Sequence, residues 1–159
     1  MPVSEAKLAL PVFCPPVATS AVPRRHLAII TCMDARIDPQ RALGLELGDA
    51  HVLRNAGAVV TDDVLRSLVL SQRLLETRSV AVMAHTECGL RDVHDDDLAR
   101  QLAWETGKAP PFAFGAFYDV DEHVRQQVER VRACPWLPHV TDVHGYVLDV
   151  SDGSVRTVV

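Results

Sequence analysis

His26-Leu27-Ala28-Ile29-Ile30-Thr31 runs directly into Cys32-Met33-Asp34-Ala35-Arg36. The first of these segments is a short apolar run without alternation, the pattern of a strand buried on both faces. Ser79 to Ala84 repeats it, continuously apolar, and delivers His85-Thr86-Glu87-Cys88-Gly89. Between the two, Ala50-His51-Val52-Leu53-Arg54 reads as another strand, followed by Asn55-Ala56-Gly57-Ala58. Helical signals separate the strands. Asp38-Pro39 reads as an N-cap and a proline at the first helical position, opening a short helix that stops near Gly44. Thr61 caps the next, with Asp62 and Asp63 in its first turn and Val64, Leu65, Leu68, Val69 and Leu75 on one face. Strand, helix, strand, helix, strand predicts an α/β domain whose central, mostly parallel sheet is flanked by helices, with ligands gathering at the carboxyl ends of the strands.

Beyond the third strand, Asp95 to Thr106 reads as a helix closed by Gly107. Phe117, Val120, Val124, Val128 and Val131 mark another by their spacing of three and four. Gly145 to Val159 reads as a C-terminal strand pair turning at Asp152-Gly153. Residues 1–25 are proline-rich and aperiodic, and are expected to form an arm with one short helix, docked on the domain or on a partner subunit. Residues 26–159 are expected to form a single domain.

The 159 residues are 48% hydrophobic, enough for one real core. A formal charge of −5 argues against a general nucleic-acid binder, and 5% aromatic residues against stacking on single strands. No apolar run reaches bilayer length, and Leu8 to Phe13 lacks the flanks of a signal peptide, so a cytoplasmic location is expected. There the four cysteines, Cys14, Cys32, Cys88 and Cys134, would be thiols available as metal ligands.

Cys32 and His85-x-x-Cys88 both follow buried strands. If those strands are neighbours, two thiolates and an imidazole converge at one sheet edge, and a Cys2His set with an open fourth position is an arrangement used for catalytic zinc. A lone buried cysteine is usually a small hydrophobe, and His-x-x-Cys by itself is a weak signal. The placement of Cys32, Asp34, Arg36, His85 and Cys88 at strand ends is what strengthens the metal reading. Cys14 and Cys134 lack a ligand-spaced companion and read as inert thiols. His51 reads as structural; His26, His94, His123, His139 and His144 read as solvated or locally hydrogen-bonded. Asp95-Asp96-Asp97 lacks calcium-loop spacing, and Gly44-Leu45-Glu46-Leu47-Gly48 lacks the lysine of a phosphate loop.

Cys32-Met33-Asp34-Ala35-Arg36, Arg54-Asn55-Ala56-Gly57 and His85-Thr86-Glu87-Cys88-Gly89, in that order and at those intervals, resemble the pattern of the β-carbonic anhydrases. The resemblance covers about residues 26–90, and the compact length is similar to that of the shorter bacterial members. It implies a zinc ion on Cys32, His85 and Cys88, an Asp34–Arg36 dyad beside the metal, and a homodimer or dimer-based tetramer. It also implies a closed form, known in some members, in which Asp34 binds the metal once Arg36 releases it. Two positions depart from the pattern: Pro23 stands where plant-type members carry a substrate-positioning glutamine, and Ala35 where many members have serine.

The expected reaction is reversible hydration of CO2 to bicarbonate by attack of a zinc-bound hydroxide. Two thiolates and a neutral imidazole cancel the metal charge and acidify water less than three histidines do, so Asp34, kept ionised and oriented by Arg36, serves as a hydrogen-bond acceptor at the nucleophile. Hydrolysis of carbonyl sulfide or carbon disulfide on the same site is the close alternative. A non-catalytic zinc module that binds a partner is the alternative of another class, and the polar dyad argues against it. A thiol-redox role lacks the Cys-x-x-Cys it would need.

Overall fold

The computed structural model describes residues 20–159. Of the arm expected over residues 1–25, residues 1–19 lie outside that range, and Cys14 with them. Strands β1 (Leu27–Cys32), β2 (Ala50–Asn55), β3 (Ser79–His85), β4 (Val143–Leu148) and β5 (Val155–Thr157) form one sheet in the order β2-β1-β3-β4-β5. All neighbours are parallel except β4 and β5, which pair antiparallel across the Asp152-Gly153 turn. The mostly parallel α/β architecture is the one expected from the apolar runs. β1 lies inside the sheet next to the edge strand β2, with Ile30 level with Leu53 on one side and Val82 on the other. Thr31 is level with Met83, so β1 and β3 end side by side at the same edge.

The helices are α1 (Pro39–Ala42), α2 (Asp62–Leu74), α3 (Asp95–Thr106) and α4 (Val120–Arg132). The expected caps form: Asp38 accepts from Arg41 N, Thr61 from Val64 N, and Gly107 closes α3 in the left-handed region. Ala28, Ile30, Val80, Val82, Val143 and Val147 share one sheet face, against Leu68 of α2 and Val124, Val128 and Val131 of α4. Burying each Val, Leu or Ile side chain among them contributes roughly 1.5–3 kcal/mol. Gly145 lets α4 approach the sheet; a Cβ there would lie 2.4 Å from Val124 Cγ1 and 2.9 Å from Val159 Cγ1.

The structure corrects several boundaries. β1 starts at Leu27 because His26 has φ 50 and its carbonyl turns to accept from Arg78 N and Ser79 N. α4 starts at Val120, not at Phe117, because Asp119 caps it by accepting from Glu122 N at 2.8 Å. β4 starts at Val143, since Val80 N bonds to Asp142 O and extends the ladder past Gly145. Among the described residues, no helix is long and apolar enough to cross a membrane.

Candidate metal centre

Cys32 is the last residue of β1 and His85 the last of β3; Cys88 lies in the turn that follows. Their side chains are 4%, 1% and 7% exposed. One ligand atom from each lies within 4.8 Å of the others, with the two Sγ atoms 4.0 Å apart. Two sulfurs bound tetrahedrally to one zinc ion at ~2.3 Å each would be about 3.8 Å apart. The imidazole is presented in the right form. Its Nδ1 lies 2.8 Å from Thr86 O, which can only accept, so Nδ1 carries the hydrogen and Nε2 the lone pair. Among the described residues that buried Nε2 has no hydrogen-bond partner, a costly state for a polar atom unless a cation takes the lone pair.

The sulfurs also need a cation. A Cys88 thiol donating to Cys32 lowers the pKa of Cys32, while the same contact together with burial raises that of Cys88. The pair by itself therefore keeps one proton between two sulfurs, and a metal ion held there would take the place of that proton.

Asp34 and Arg36 form a two-pronged pair, Nε to Oδ1 at 3.0 Å and Nη2 to Oδ2 at 2.8 Å. The Arg36 backbone N–H adds a third bond to Oδ1 at 2.9 Å. These contacts hold the Asp34 carboxyl well below the usual carboxylate range, and Asp34 holds the guanidinium pKa up. Asp34 Oδ2 lies 3.9 Å from His85 Nε2, so an ionised acceptor faces the three ligand atoms. All five residues singled out by the sequence converge in one cluster.

Other contributors were not singled out. Glu87 gives Arg36 a second carboxylate at 3.2 Å and its backbone oxygen at 3.0 Å. Arg54 ties the loop down from the other side, donating to Cys32 O at 2.9 Å and Asp34 O at 2.8 Å. Gly57 N donates to Cys32 Sγ at 3.3 Å. Arg54 and Gly57 belong to a quoted motif, but their roles depend on β2 lying beside β1. His123, expected to be solvated or locally hydrogen-bonded, is instead 4% exposed and bonded to Gly57 O, 66 residues away, lying flat on Phe117 beneath the Ala56–Ala58 turn. His51 is structural, bridging Ser71 Oγ and Ala21 O. Cys134 is buried in the main core, away from the other described cysteines.

Against known proteins, the carbonic anhydrase family model matches residues 27–99. Beta-carbonic anhydrase 1 of Mycobacterium tuberculosis is 46% identical over 136 residues, covering 86% of this chain and 83% of that protein. The chain belongs to the β-carbonic anhydrase family. The solved carbonic anhydrase of Streptococcus mutans superposes with a TM-score of 0.81 at 40% identity, over 86% of this chain and 83% of that one. A carbon disulfide hydrolase of Acidithiobacillus thiooxidans is 33% identical over 152 residues, covering 83% of this chain and 76% of that protein. The two departures from the β-carbonic anhydrase pattern have simple structural settings. Pro23 is buried in a turn closed by His26 N to Pro23 O at 3.0 Å and offers no side-chain donor. Ala35 is exposed, so the hydroxyl it lacks would have faced water.

Proposed function

We propose that this protein is a zinc-dependent carbonic anhydrase that interconverts CO2 and bicarbonate. The observation that carries the reading is the unpartnered Nε2 of His85, facing two cysteine sulfurs and an arginine-clamped carboxylate. Cys32, His85 and Cys88 would hold the metal. A zinc ion there supplies a Lewis acid that acidifies water and yields a nucleophile near neutral pH. Asp34 is ionised and so acts only as an acceptor; it accepts a hydrogen bond from the O–H of the attacking oxygen and so turns that oxygen's lone pair toward the carbon. Arg36 prevents Asp34 from rotating or picking up a proton, and Glu87 and Glu87 O hold the guanidinium in turn. One C–O bond forms while one C=O π bond of CO2 opens onto its oxygen, and the proton lost from the O–H of water passes to buffer.

Asp34→Asn tests the division of labour. It is expected to keep zinc, measured by metal analysis, while kcat falls about 10²-fold or more in stopped-flow CO2 hydration. Unchanged turnover would rule out the dyad mechanism. The similarity to carbon disulfide hydrolases supports a second reading in which the same site acts on carbon disulfide or carbonyl sulfide. Parallel assays separate the two: negligible CO2 turnover with rapid sulfide release would select the second. We place the protein in the cytoplasm, where the free cysteines it uses as ligands stay reduced. We also propose a dimer-based homo-oligomer, supported by exposed Leu47 and Leu70 near the open edge at β2; light scattering on the purified protein checks it.

A further inference from the structure

The Asn55-Ala56-Gly57-Ala58 segment is folded in an unfavourable way. Gly57 has φ 75, and Ala58 follows with φ 57, a left-handed conformation that costs a non-glycine residue about 1–2 kcal/mol. The left-handed φ at 57 favours glycine, and a Cβ there would come within 2.8 Å of Leu90 Cδ2, which would have to shift. Glycine is also the residue with the most backbone freedom, yet its N–H must point at Cys32 Sγ. Side chains have to hold it.

Three devices do so. The Asn55 side chain brackets the turn, accepting from Val59 N at 2.9 Å and donating to Val59 O at 2.7 Å. Gln127 of α4 accepts from Val60 N at 2.8 Å. His123, one helical turn earlier, places Nε2 2.8 Å from Gly57 O. The tautomer follows from the partners. Gly57 O can only accept, so Nε2–H donates to it. Gln127 Oε1 is taken by Val60 N–H, which leaves the Gln127 amide nitrogen facing His123 Nδ1 at 3.5 Å. The ring is clamped flat on Phe117, with centroids 4.1 Å apart and planes 14° apart. Burial disfavours its charged form and keeps it neutral.

We propose that His123 is a positioning residue for the metal-binding thiolate of Cys32, acting through Gly57. By fixing the Gly57 carbonyl it removes the glycine's torsional freedom and aims the neighbouring N–H at Sγ. That N–H stabilises the thiolate and sets how much charge the sulfur gives the metal. The inference rests on the metal reading of Cys32, His85 and Cys88.

The test uses the whole chain, loaded with Co2+ for spectroscopy and with zinc for competition against a chromophoric chelator. His123→Phe keeps a ring to lie on Phe117 but removes the donor. His123→Gln returns an N–H at about the reach of Nε2. The Phe variant is expected to shift the thiolate-to-Co2+ charge-transfer band and to weaken zinc binding about 10–100-fold. The Gln variant is expected to recover the band position and most of the affinity. A Phe variant with the wild-type band and affinity overturns the proposal, as does a Gln variant no better than Phe. If the Phe variant does not fold, His123→Asn, too short to reach Gly57 O, replaces it on the same terms. Absence of any thiolate-to-Co2+ band in the wild-type protein removes the metal reading itself, a failure distinct from that of His123.

Discussion

At the carboxyl ends of β1 and β3, the polar groups of the site are held by partners far along the chain, whereas α3 is held by its own ends. Arg54 reaches 22 residues back to Cys32 O, Arg36 reaches 51 forward to Glu87, and His123 reaches 66 back to Gly57. In α3 no residue is buried, and Trp104 is 87% exposed. Its fixed points are Gly107 at one end and Asp95 at the other, where the carboxylate accepts from the backbone of Phe114, Gly115 and Ala116. The difference shows where the molecule is over-determined. Precision is concentrated at the edge that carries the ligands, and α3 is attached through a few polar ties.

Substitutions can break or sharpen this contrast, beginning with the two kinds of buried cysteine. Cys32→Ala is expected to lose bound zinc and, with it, CO2 hydration down to background, read by metal analysis after gel filtration and by stopped flow. Cys134→Ala, a change in plain core, should keep both at a stability cost of about 1 kcal/mol. Retention of zinc by the Cys32 variant would break the contrast at its strongest point.

Leu68→Ala empties a fully buried position between α2 and the sheet and should cost about 2–5 kcal/mol in urea unfolding, with the metal retained. Asp95→Asn probes the tie of α3. Burial opposes the ionised form of Asp95, but its three N–H donors together outweigh burial and depress its pKa. A depressed folded-state pKa means that the stabilisation is present above the unfolded value of ~3.9 and is lost as pH falls through the folded one. The variant should therefore melt lower than wild type near pH 7, with the gap closing in strong acid. A gap independent of pH would show that charge at Asp95 is not what ties the helix end. Trp104→Ser should move stability by no more than about 0.5 kcal/mol, since that residue is 87% exposed among the described residues; a larger loss in a thermal melt would mean that α3 is buried in an assembly.

Much of the fold was legible because its signals are local. Asp38-Pro39, Thr61 and Gly107 state helix ends by capping chemistry, and the unbroken apolar runs of β1 and β3 state double-sided burial. β4 was read two residues late because Gly145 interrupts the run, and its reason for being there is the close approach of Val124 from α4. Phe117 fits the spacing of α4 but serves as the surface on which His123 lies.

The metal site divides in the same way. Cys32, Asp34 and Arg36 were tied to one strand end, and His85 and Cys88 to another, by residue type and spacing alone. The sequence by itself determined which chemical groups stand at the strand ends, since that depends on positions a few residues apart. Only the tertiary structure decided that the two ends meet, that Nε2 of His85 is the free nitrogen, that the exposed Glu87 pairs with Arg36, and that His123 is buried beside Gly57. Those outcomes rest on strand order and register, which join residues 22 to 66 positions apart. No periodicity along the chain encodes which distant side chain will fill the space beside them.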